Sequence, residues 1–157
     1  MIKQQNDITV WLQQLSGQEL RSVDALLFIF DGVEEIDHPQ AVSLTFSTSE
    51  NCVLKCASDG ESMQFSRELL MNNDMGEFGK QLVRDVSACA MWHKCIDKQV
   101  FKTYLLESEC DKIVGVGFSF DSEISIFVMN LGDELYIFDR IEDCLASDPD
   151  INARVIV

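Results

Sequence analysis

This chain of 157 residues is poor in the side chains that most chemistry uses. It has two histidines, His38 beside Pro39 and His93 beside Trp92, so general bases are scarce. No apolar run approaches the length needed to cross a bilayer. The first seven residues contain neither an apolar core nor a small-residue cleavage site, so no secretory signal is expected. A glycine-rich phosphate loop is missing. Val114-Gly-Val-Gly-Phe118 has two glycines but lacks the third glycine and following helix of a dinucleotide site. There is no Cys-x-x-Cys pair, and Cys89, His93 and Cys95 fall one short of the four ligands of a structural zinc. Basic residues are few as well: 12 Lys and Arg stand against 27 Asp and Glu, a net charge of −15 and a pI near 4.3. Such a surface repels nucleic-acid phosphates and anionic lipid heads, so neither nucleic acid nor membrane is an expected partner.

What is present points to architecture. The length suits a single domain over residues 1–157 that buries about two-thirds of its unfolded surface. Val114, Val116 and Phe118 alternate with small or polar residues. So do Ile124, Ile126 and Val128, then Leu135 and Ile137. Period-two runs broken by Asp, Ser, Asn and Gly predict an antiparallel meander with one buried face. A shift of 72 residues places Val42, Leu44, Phe46, Cys52, Leu54, Cys56, Met63 and Phe65 on the same eight positions, and Gly60 on Gly132. A shift of 80 aligns Leu12, Leu15, Gly17 and Leu20 with Trp92, Cys95, Asp97 and Val100. Each half then reads as an apolar lead-in, a turn, a long strand, a loop and a three-stranded meander.

The expected fold is mainly β, α+β at most. Two internally repeated antiparallel meanders form a barrel or packed sheets. The halves run over about residues 8–66 and 90–138, with a short helical or irregular connector at 67–89 and an acidic tail at 139–157. Ile8–Leu15 fits a short strand or a single helical turn, with Trp11 as a core anchor. Glu19–Phe30 is a buried strand stopped by Asp31-Gly32, and Val33–Gln40 is an acidic loop. Arg67–Met71 can make about one helical turn, and Gln81–Trp92 reads equally as helix or strand. Gln99–Leu106 is the long strand of the second half. Ile141 and Leu145 share a helical face, and Ile151–Val157 could add an edge strand. Gly115 and Gly117 let another segment approach the outer face of their strand, or relieve a bend. Cys52 and Cys56 share an inward face with Leu54, as in the reduced interior of a cytoplasmic protein.

No catalytic, metal or cofactor site emerges. Cys95 and His93, adjacent but one on a strand, would share a face mainly for packing. Asp121/Glu123 and Asp133/Glu134 fall in hairpin turns open to water, where carboxylates solvate the turn. Surface acidity is what remains, densest toward the C-terminus. The candidate partner-binding residues are Asp133, Glu134, Asp139, Glu142, Asp143, Asp148 and Asp150.

Three features of the second half carry a family likeness: Gly115-Val-x-Phe-x-Phe120, then Asn130-Leu-Gly-Asp-Glu-Leu-x-Ile137, with Trp92-x-x-x-Ile-Asp-x-x-Val100 upstream. The pattern resembles small acidic immunity proteins encoded beside bacterial polymorphic toxins. The resemblance implies a cytoplasmic, non-enzymatic inhibitor that binds a cognate toxin, its acidity matched to a basic toxin. The alternative is a small β-rich binding or structural module, homodimeric through a sheet edge.

Overall fold

The computed structural model describes residues 2–48, 51–121 and 123–156. The first half contains helix α1 (Ile2–Gln13) and strands β1 (Leu20–Phe30), β2 (Val33–Glu34), β3 (Ala41–Phe46), β4 (Cys52–Cys56) and β5 (Met63–Ser66). β6 (Asn73–Asp74), a 3-10 turn at Gly76–Phe78 and β7 (Lys80–Asp85) follow. The second half contains α2 (Ala90–His93), β8 (Lys102–Glu107), β9 (Ile113–Ser119), β10 (Ser125–Asn130), β11 (Leu135–Phe138), α3 (Ile141–Ser147) and β12 (Asn152–Val155). The strands form two open antiparallel sheets, ordered β5-β4-β3-β1-β7-β6 and β11-β10-β9-β8-β12, with β2 pairing to β1. The architecture is thus mainly β, two packed sheets rather than one closed barrel. No helix of the described residues is long and apolar enough to cross a membrane.

The repeat is more complete than the meanders. In both sheets the strand after the meander crosses to the far side of the first strand: β7 pairs with β1 as β12 pairs with β8. The two halves meet where each lead-in turns. Gly17 N–H donates to Val100 O (2.8 Å) and Asp97 N–H to Leu20 O (2.7 Å). Val100 N–H donates to Gln18 O (2.8 Å) and Leu20 N–H to Lys98 O (3.2 Å). Adding 80 to the first-half residue and subtracting 80 from the second-half residue turns one bond of each pair into the other, and the bridge between Glu19 and Gln99 pairs a residue with its own counterpart. That is the signature of a local twofold axis. Gly17 (φ 85°) and Asp97 (φ 64°) occupy the same left-handed turn position, which asparagine and aspartate tolerate best after glycine.

One core serves both sheets. Trp11 lies at its centre, with ring centroids 5.4 Å from Phe65, 5.9 Å from Phe118 and 6.1 Å from Phe46. Ile8, Trp11, Leu12 and Leu15 are all buried, at i, i+3, i+4 and i+7. That stripe makes the lead-in a helix of three turns, where a strand or single turn was expected. Its counterpart α2 keeps one turn.

The single buried face expected for the second meander is corrected. β9 and β10 are buried on both sides. Leu106, Val114, Phe127 and Met129 form a second cluster on the outer face with Cys144 and Ile151. The register shift between Leu106 and Glu107 turns Val114 outward, away from Val116 and Phe118. Gly117 faces Phe127 across the ladder, and a Cβ there would collide with that ring. A Cβ on Gly115 would meet Val128 O at 2.5 Å. Close approach is therefore what both glycines serve.

Candidate interaction surfaces

The seven acidic candidates do not form one patch. Asp133 and Glu134 occupy the β10–β11 turn, close enough to Cys56 that, after burial, their charge helps push its thiol up to about 11. Asp139 lies at the far end of β11, about 17 Å of strand away. It is bound to Lys94 Nζ at 2.8 Å, and that hydrogen bond holds its carboxyl below the usual range. Glu142 lies 3.8 Å from Arg140, and Asp143 shares the exposed first turn of α3 with it. Asp148 is half-buried and accepts a hydrogen bond from Asp150 N–H at 3.1 Å, which shapes the turn into β12. The matching turn of the first half, Asp59–Glu61, holds Lys112 through Glu61 (2.7 Å) and Asp59 (3.6 Å). Several of these acids are thus occupied in turns or ion pairs.

The soft-ligand cluster also separates. Cys89, His93 and Cys95 surround the single turn of α2, with His93 exposed and Cys95 in the core, where burial pushes the thiol up to about 12. The strand on which His93 and Cys95 would share a face is not there. No group of three or more His, Cys, Asp or Glu among the described residues could hold a metal ion. The six cysteines are free thiols.

A cleft of about 570 Å³ opens beside the junction of the halves. Ala25, Val86, Trp92 and Ile137 line it, with Asp37, His38, Lys94 and Asp139 adding polar groups. His38 stacks on Tyr136 at 4.1 Å between centroids, and Leu135 N–H donates to Pro39 O at 2.8 Å. The acidic loop is thereby fastened to β11.

The most distinctive surface is the outer face of the first sheet, and its origin lies in how the chain crosses it. Between Ser66 on edge strand β5 and Asn72, whose Oδ1 accepts the N–H of Val83 at 2.8 Å, six residues span four strand spacings. Six extended residues reach about 20 Å, and four spacings measure about 19 Å. The strap has no slack to coil, so the helical turn expected at Arg67–Met71 does not form. Residues 67–78 are irregular apart from β6 and the 3-10 turn, and the ambiguous stretch after them resolves into strand β7 followed by α2. The inner face is filled by the core, so the strap runs over the outer face, where Ala41, Ser43 and Val53 are buried. In the second half, the path from Phe138 to Asn152 has the same 14 steps as that from Ser66 to Lys80, but it makes no excursion past the fifth strand like β6 and the 3-10 turn, and α3 fits into it.

Beyond the strap the outer face stays open. Phe28 and Phe30 stack at 6.4 Å, Phe30 pairs with Val33, and Phe28 packs against Gly79 beside Phe78. Phe30 is 54% exposed and Phe78 71%. Of the nine large apolar side chains exposed among the described residues, six lie at the end of β1, in the loop after it or on the crossover: Phe30, Val33, Ile36, Leu69, Met71 and Phe78. Exposed carboxylates neighbour most of them in sequence: Asp31 follows Phe30, and Glu35, Glu68 and Glu77 precede Ile36, Leu69 and Phe78. Asp24 and Asp85 face each other across β1 and β7 on the same surface. Partial burial and the Asp85 charge raise the Asp24 pKa.

Sequence reading passed over this surface because Ala25–Phe30 looked simply like a buried strand. The usable signal was that the run is apolar at both parities, so a strand there presents apolar side chains on both faces.

No family model, curated protein or solved structure matches the chain.

Proposed function

We propose that this chain is a cytoplasmic, non-catalytic inhibitor of the immunity type, which neutralises a cognate basic toxin by stoichiometric binding. The observation that carries the reading is the interleaving of exposed aromatic and aliphatic side chains with carboxylates, on a chain of net charge −15. Apolar anchors supply contact energy once water is excluded, and the acidic field speeds encounter with a positive partner and disfavours another acidic one. An open apolar surface of this kind marks an interaction site more often than idle surface.

The test is to read the gene immediately upstream and, where it encodes a large secreted protein with a variable C-terminal domain, to co-express this chain with that domain. The chain should restore growth and co-purify at one to one. Association should slow at least about tenfold between about 50 mM and 500 mM salt, as screening removes steering. A chain that fails to rescue, or that self-associates with a mass indifferent to salt, would instead be a homo-oligomeric β-rich module.

A further inference from the structure

We infer that the outer face of the first sheet is a docking site for an amphipathic helix of the partner, apolar on one side and flanked by Lys or Arg. The site deepens the proposed function and rests on it.

The internal repeat shows what covers such a face. Leu106 of β8 is 0% exposed because α3 and β12 close over it, with Cys144 Sγ 3.6 Å from Met129 Sδ and Ala153 paired to Leu106. A shift of 80 makes Leu26 its counterpart in β1, and Val83 pairs with Leu26 as Ala153 pairs with Leu106. Leu26, Phe28 and Val83 are only half-buried, because the first-half crossover is a taut strap instead of a helix. The same sheet position is thus closed by a helix in one half and lacks that cover in the other.

Charge selects between occupants. Asp24 and Asp85 sit on the face, and Glu68 and Glu77 flank it on the crossover. Arg84 lies on the opposite face, tied to Glu34 at 3.0 Å. A second copy of this chain would bring the same carboxylates into opposition. A helix carrying Lys or Arg beside its apolar stripe would place cations against them while its Leu or Ile side chains meet Phe28, Phe30 and Val83.

The probe is a synthetic amidated helical peptide with leucines at i, i+3, i+4 and i+7 and lysines elsewhere. Its controls are a scrambled peptide of equal composition and a version with glutamate for lysine. Amide chemical shifts of the full chain should move on β1 and β7 with the first peptide only. Phe30→Asp and Phe78→Asp alter exposed side chains, so the fold should survive, and both should weaken binding by roughly tenfold or more. Phe101→Asp, also exposed but in the second half, should leave it unchanged. Equal binding of the scrambled peptide, shifts confined to α3, indifference to Phe30→Asp and Phe78→Asp, or a dimer that those substitutions dissolve would each overturn the site.

The same variants separate this inference from the reading beneath it. If the wild-type chain rescues cells from the toxin and Phe30→Asp rescues equally, the docking site is wrong and the inhibitor reading stands. If the wild-type chain rescues nothing, the inhibitor reading fails whatever the peptide does.

Discussion

The two halves are built to one plan and finished differently. Both have a helical lead-in, a four-strand meander in the same order and a fifth strand returning beside the first. They diverge where the chain crosses from the last meander strand to the fifth. The second half has enough residues there for α3, whose Cys144, Ile141 and Leu145 seal Leu106, Phe127 and Met129. The first half spends an equal number of residues on a strap, β6 and a 3-10 turn, and its sheet keeps an open apolar flank. The path the crossover takes, at equal length, therefore decides whether an outer face becomes core or remains surface.

Substitution of the paired leucines tests this contrast most strongly. Leu106→Ala should cost about 2–5 kcal/mol in urea unfolding, the range for emptying a closed site. Leu26→Ala should cost less, about 1–2 kcal/mol, because that side chain is already partly exposed to water. Equal losses would mean that the first face is as closed as the second.

Gly117→Val comes next, at about 1–3 kcal/mol, because the new side chain displaces the Phe127 ring. The registers give Ser43 and Val53 as the corresponding pair of the first half, where a Cβ is already accommodated, so Ser43→Ala should change the unfolding midpoint little.

The twofold turn offers a smaller handle. Gly17→Ala should cost about 1 kcal/mol, since alanine is strained at a φ of 85°, whereas Asp97→Asn, which tolerates the same conformation and loses only the exposed pair with Arg21, should change thermal unfolding by no more than a few tenths of that.

The smallest effects concern pH. Lys94 holds the folded pKa of Asp139 below its unfolded value near 3.8, so that contribution is present at neutral pH and lost as pH falls through the folded pKa. Asp24 has the opposite sign. Its folded pKa is raised, so its penalty is present at neutral pH and vanishes as pH falls below the unfolded value. Melting temperatures at about pH 7 should fall for Asp139→Asn and rise for Asp24→Asn, and both differences should shrink toward about pH 3. A rise for both would show that the Lys94 bond contributes nothing.

The sequence by itself determined the strands, the repeat and the turns. Alternation along Val42–Phe65 and Val116–Ile137 is a local property with a period of two and was legible at both sites, whereas the turning of Val114 outward, and an offset of 74 rather than 72 between β3–β4 and β9–β10, came from strand pairing. The offset of 80 through Leu12–Leu20 marked the pairing of the halves. The seven acidic residues were legible as charges but not as a patch, because whether Asp139 meets Lys94, or Asp148 turns inward, depends on partners far away in the chain. Tertiary structure alone decided which outer face is covered. The strap at 67–72 has helix-forming residues and no helix, because its chain reaches β6 beyond β7 within a few residues, whereas Ile141–Ser147 is helical on a path that runs to β12 without that detour. That constraint has no local trace. It exists only once strand order puts β5 and β7, and β11 and β12, on opposite sides of their sheets.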